Sequence, residues 1–120
     1  MLTFVKSRLK AFGYAWDGLV DFFVNQEPVM VHLIAIGVAL GTAWLLGFPA
    51  WKWVMFVICI GFTLVTEALN TAIEYVVDLV SPDYHVLAGK AKDVAAAAVF
   101  LSALTAVTVY VILVWDALAS

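Results

Sequence analysis

Two runs of this chain, Val29–Trp51 and Val94–Trp115, contain no Asp, Glu, Lys or Arg. Each exceeds the roughly 20 residues that a helix needs to cross a hydrocarbon core. A third apolar run begins at Trp53, reaches Thr66 without a charge and continues past Glu67 to Val77. Its length makes it a span and not a core helix. Composition agrees: 66% of the 120 residues are hydrophobic and 12% are charged, against about a quarter charged in a soluble domain. The pattern predicts an all-α membrane protein, with an N-terminal amphipathic surface helix followed by three transmembrane helices.

Within a single membrane domain over residues 1–120, the surface helix is expected over 1–25 and the spans over 29–47, 52–80 and 92–116. Val5, Leu9, Phe12, Trp16, Leu19 and Phe23 recur at steps of three and four, with Lys6, Arg8, Lys10, Asp17 and Asp21 interspersed. That is the pattern of a helix lying on a membrane, not of a signal peptide. Pro28 restricts the residue before it and suits the first turn of a new helix. Gly47-Phe48-Pro49-Ala50 reads as a tight turn, and Trp51 and Trp53 flank Lys52 as interfacial anchors. Ser81-Pro82 stops the second span, and a polar loop from Asp83 to Lys92 leads to the third. Lys6, Arg8, Lys10, Lys90 and Lys92 fall on one side of such a chain and Lys52 on the other. The amino terminus and the second loop are therefore expected in the cytoplasm. Cys59 is alone, which excludes an internal disulfide or a multi-cysteine metal site.

The second span carries an unusual set of side chains. Glu67, Asn70, Glu74 and Asp78 are spaced three, four and four apart, so they share an arc of about 80° on a helix. With Asp78 at the cytoplasmic boundary, Glu67 lies about 16 Å deeper. A carboxylate at such a depth costs several kcal/mol unless it is paired, hydrated or protonated, which makes it a functional candidate. One carboxylate would suffice to glue helices together; a second adds cost. Lys92, ahead of Asp93 at the start of the third span, is the nearby cation. Two acids and a cation are the parts of phosphoryl transfer: a base for an attacking hydroxyl, a ligand for a metal, and a neutraliser of phosphate charge. No P-loop or glycine-rich kinase loop is present, since Gly89-Lys90 is followed by Ala91 and lacks the required upstream glycine.

The run Glu67-Ala68-Leu69-Asn70-Thr71-Ala72-Ile73-Glu74, with Val77-Asp78 after it, closely resembles the signature of the prokaryotic diacylglycerol and undecaprenol kinase family. Ser81-Pro82-Asp83-Tyr84-His85, Lys90-Ala91-Lys92-Asp93 and the alanines that follow resemble the family's second loop. Gly13-Tyr14-Ala15-Trp16 with Gly18-Leu19 resembles its surface helix, so the likeness covers essentially the whole chain. The resemblance implies ATP- and Mg²⁺-dependent transfer of the γ-phosphate to the hydroxyl of a membrane lipid alcohol, diacylglycerol or undecaprenol. It also implies a homotrimer with shared active sites in the bacterial inner membrane, and no nucleic-acid partner.

By the same resemblance Glu67 takes the general-base position and Glu74 a metal-ligand position. Tyr14, Glu74, Asp83, Tyr84, His85, Lys92 and Asp93 fall where the family contacts ATP. Asn70 and Asp78 occupy signature positions without an assigned role. The chain departs from the family where a second metal-binding glutamate is usual: Gln26 stands there, with Glu27 beside it, so either residue is a candidate ligand. An arginine common shortly before the histidine is also missing, because Val29-Met30-Val31 precedes His32.

Two other functions remain compatible with these residues. One is a catalytically weakened family member that acts as a lipid-binding subunit; the other is a small proton-coupled transporter, although such exporters usually need four spans. His32 reads as a hydrogen-bonded interfacial side chain, since no second His or Cys lies at ligand spacing. Gly37 and Gly41 read as a step that lets helices approach closely. Ser102, Thr105 and Thr108 can satisfy their hydroxyls on their own helix.

Overall fold

The computed structural model describes residues 1–120 as four helices: α1 Leu2–Asn25, α2 Glu27–Leu45, α3 Ala50–Val80 and α4 Val86–Ala119. No residue is in a strand. Helices α2, α3 and α4 are long and apolar enough to cross a membrane, where only a backbone that satisfies its own hydrogen bonds is tolerated. The chain divides into two units, Met1–Ala35 and Ile36–Ser120.

In the first unit α1 stops at Gln26, whose backbone is extended (φ −107°, ψ 104°). The helix restarts immediately because Pro28 has no N–H and a fixed φ, both suited to a first turn. Asn25 Nδ2 donates to Asp21 Oδ1 at 2.8 Å. Val5, Leu9, Phe12, Trp16 and Leu19 are exposed along one side of α1 and Phe22 is buried, an uncovered apolar stripe of the kind an interfacial helix presents. His32 Nδ1 lies 3.2 Å from the Pro28 carbonyl oxygen.

The second unit is built on an antiparallel pair, α3 and α4. The inward positions alternate in steps of three and four. Lys52, Phe56, Cys59, Thr63, Glu67, Asn70, Glu74 and Val77 form the buried or half-buried face of α3; Lys92, Ala95, Val99, Ser102, Ala106, Val109 and Leu113 form that of α4. In lipid this packing rests on close contact and interhelical hydrogen bonds, because hydrocarbon tails are as apolar as leucine. Ala43, Phe48, Phe56 and Leu113 make the core, with Trp53 and Tyr110 packed on it. The Phe56 and Tyr110 rings lie 5.2 Å apart, and the Tyr110 hydroxyl donates to the Ala39 carbonyl at 3.3 Å, joining α2 to α4.

The turn between α2 and α3 is a Schellman motif. Gly47 takes φ +63°, a left-handed value that a side chain would strain. Its N–H donates to the Trp44 carbonyl at 3.0 Å, and the Phe48 N–H donates to that of Ala43 at 3.2 Å. Phe48 thereby folds onto Ala43 in the core.

Three sequence expectations change here. Trp53 is half-buried and does not stand free as an anchor: its ring sits 6.1 Å from Phe48 and 6.2 Å from Phe56, packed against the core. Trp51 alone of the two remains exposed. The loop before α4 is shorter than expected, since His85 caps the helix and starts it at Val86. Gly37 and Gly41 bring no helix close within the chain, because a Cβ on either would meet nothing within 4 Å. Ser102, Thr105 and Thr108, in contrast, do bond back to the carbonyls of Val99, Leu101 and Leu104 at 2.7, 2.9 and 2.7 Å.

Candidate functional site

Along its buried face, α3 changes chemistry. After the buried Lys52, the half that starts at Ala50 presents Phe56 and Ile60, whereas the half that ends at Val80 presents Thr63, Glu67, Asn70, Thr71 and Glu74. Glu67 is 5% exposed. Asn70 Nδ2 donates to Glu74 Oε1 at 3.3 Å, one helical turn further on. Asn70 Oδ1 is buried and accepts no hydrogen bond, a state that is costly and rare for an amide oxygen.

Contacts of Lys52 with Leu113, Phe56 with Tyr110 and Asp78 with Lys92 set the register of the hairpin. That register puts Glu67 level with Ser102, and Glu74 level with Ala95. Small residues on α4 thus lie at the levels of the carboxylates on α3, and both Ser102 and Ala95 are buried. At the end of the stripe Lys92 Nζ meets Asp78 Oδ1 at 2.5 Å, with both side chains substantially exposed.

The remaining candidates are distributed around this end of the hairpin and in the first unit. Asp83 and Tyr84 are exposed in the connection between α3 and α4, which is braced by the Ser81 hydroxyl donating to the Asp83 carbonyl at 2.9 Å. His85 Nδ1 accepts the Leu87 N–H at 3.1 Å, so its ring is the N-cap of α4. Asp93 is exposed beside Lys92. A shallow apolar groove of about 440 Å³ lies next to this cap, lined by Val76, Val77, Val80, His85 and Leu87 among others. In the first unit Tyr14 is exposed, with Lys10 Nζ 5.8 Å from its ring centre. Gln26 ends α1 and Glu27 opens α2.

The donors on the α3 stripe are oxygens only, the set that a hard cation such as Mg²⁺ prefers, and the bare Asn70 oxygen suits the same use. No three His, Cys, Asp or Glu side chains gather around one point. A cation here would therefore complete its shell with amide, phosphate or water oxygens, or with groups from another subunit.

The other end of the hairpin holds a feature that sequence reasoning missed. Lys52 is 3% exposed, donates to the Leu113 carbonyl at 3.0 Å and pairs with Asp116 at 2.7 Å. Its ammonium also lies 5.2 Å from the Phe48 ring centre and 5.4 Å from that of Trp51. The available signal was the position of Lys52 and Asp116 at matching ends of two antiparallel spans.

A profile for a family described as prokaryotic diacylglycerol kinase matches residues 13–114. The chain belongs to the prokaryotic diacylglycerol kinase family. It is 36% identical to the diacylglycerol kinase of Escherichia coli K12 over 90% of this chain and 88% of that one. The undecaprenol kinase of Bacillus subtilis 168 is 34% identical over 75% of this chain and 73% of its own length. The diacylglycerol kinase of Pseudomonas aeruginosa PAO1 is 36% identical over 89% and 86%. The profile runs from the middle of α1 to the last turns of α4, and so includes the acidic stripe, its lysine and the loop between them.

Proposed function

We propose that the chain is a lipid kinase that transfers the γ-phosphate of ATP to the hydroxyl of a membrane lipid alcohol, diacylglycerol or undecaprenol. One observation carries the reading: the buried face of α3 turns polar at Glu67, and the stripe of Glu67, Asn70 and Glu74 leads to Lys92 at the hairpin's end. Burying a carboxylate that deeply opposes folding, and a catalytic base is the use that accounts for keeping it. Curated relatives named as kinases favour phosphoryl transfer over proton-coupled transport.

In this reading a Glu67 carboxylate oxygen takes the proton of the lipid hydroxyl as that oxygen bonds to the γ-phosphorus. The bond from phosphorus to the β,γ-bridging oxygen breaks, and ADP leaves with its electron pair. The Lys92 ammonium neutralises charge on the phosphoryl oxygens. Asn70 holds the Glu74 carboxylate in place through its amide N–H. Glu74 would hold Mg²⁺, and Gln26 or Glu27 stands at the position of the family's second ligand; once bound, the cation offsets phosphate charge. We assign Tyr14, Asp83, Tyr84, His85 and Asp93 to the nucleotide. We also assign the assembly to a homotrimer with shared sites in the bacterial inner membrane, with the amino terminus and the α3–α4 connection in the cytoplasm.

The test is a side-by-side assay in detergent micelles with labelled ATP, Mg²⁺ and each lipid in turn. Label is expected in at least one lipid and is expected to vanish with a chelator. Absence of label from both lipids, with ATP and Mg²⁺ present, rejects the reading.

A further inference from the structure

The pair formed by Asp78 and Lys92 contributes little to the fold. Its side chains are 63% and 40% exposed, and ion pairs that water reaches are weak stabilisers. The two helices are already joined by the short Ser81–His85 connection and packed together along their length. What the pair does fix is the position of a charge. A lysine ammonium rides on a flexible four-carbon stem, and Asp78 is the polar partner of this one. Asp78 lies one helical turn past Glu74 on the same stripe, about 6 Å along the axis.

We propose that Asp78 is a positioning residue: it holds the Lys92 ammonium at the mouth of the polar stripe, oriented for the triphosphate before the nucleotide arrives. This rests on the reading of Lys92 as the phosphate cation. Preorganised charge acts in the transition state without reorganisation at the moment of reaction, so the carboxylate should govern turnover more than binding. Its own negative charge opposes an incoming triphosphate, so its removal should not weaken nucleotide binding.

The experiment measures kcat and the KM for ATP separately in the full-length protein, for D78N, D78E, K92M and the D78N/K92M double variant. D78N is expected to lower kcat about tenfold, a coupling ordinary for groups in direct contact, with the KM for ATP not raised. D78E should recover most of the turnover because it restores a carboxylate. In the K92M background D78N should have no further effect. Wild-type kcat in D78N would overturn the proposal, as would a raised KM at unchanged kcat, which would mean that Asp78 touches the nucleotide itself. Additive losses in the double variant, or failure of D78N to fold as judged by helix content and elution from a sizing column, would also overturn it. K92M with wild-type turnover would reject the parent reading of Lys92 and the proposal with it; an impaired K92M beside an unimpaired D78N rejects the proposal alone.

Discussion

Glu67→Gln separates catalysis from packing at one position. Glutamine keeps the length and shape of the side chain and its capacity to hydrogen-bond, but it can neither take a proton nor carry charge. Positioned general bases contribute about 10²–10⁴-fold to rate, so turnover should fall by about three orders of magnitude, equivalent to about 4 kcal/mol of barrier. Stability should move the other way. Glu67 is 5% exposed, and an ionised carboxylate is harder to bury than a neutral amide of the same shape, a difference partly offset by its lost partners. The assay pairs labelled-ATP transfer to lipid in micelles with thermal unfolding of the same sample. A variant that is inactive and at least as heat-stable as the parent fits the catalytic role. Turnover within a few-fold of the parent refutes it, and so does an unfolded protein, which would make Glu67 part of the glue between helices.

Gln26→Glu should raise Mg²⁺ affinity or activity, read from a metal titration of turnover; an unchanged curve means that Glu27 already serves or that neither position binds metal. Lys52→Met should destabilise by about 1–3 kcal/mol, because the Leu113 carbonyl and Asp116 lose their buried donor, while the folded fraction keeps its turnover; equal melting of variant and parent would contradict the packing described. At His85 two variants divide two roles: His85→Ala should cost about 1 kcal/mol of stability through the lost cap, whereas His85→Asn keeps a capping acceptor and should leave stability unchanged. A raised KM for ATP in the asparagine variant would tie the ring to the nucleotide, and an unchanged one would leave it a cap.

The long apolar runs and the three- and four-residue spacing of Glu67, Asn70 and Glu74 are local properties, and they could be read from the chain because both depend only on helix geometry and the length of a bilayer crossing. Pairings between distant residues could not. Lys92 was recognisable as a cation near the stripe, but its bond to Asp78 depends on how the Ser81–His85 connection turns. Lys52 and Asp116 are far apart in sequence and meet only when α3 and α4 lie antiparallel in a particular register. A tryptophan beside a lysine at a span's end suits an interface and a core equally well, and only the Schellman turn at Gly47, which brings Phe48 to the core, gives Trp53 an aromatic partner there. The charged first turns of α4 have the composition of a loop, and the His85 cap is what makes them helix. Gly37 and Gly41 carry a packing motif with no neighbour inside the chain.

The two lysine–aspartate pairs close opposite ends of one stiff rod. From Lys52 to Asp78 the helix rises about 39 Å, a little more than the roughly 30 Å of hydrocarbon in a typical bilayer. Such a rod is a ruler: its charged tips belong among headgroups, so thinner membranes must tilt it and thicker ones must pinch around it. In the proposed reaction, the depth at which Glu67 would meet a lipid hydroxyl is therefore tied to the acyl-chain length of the surrounding lipids.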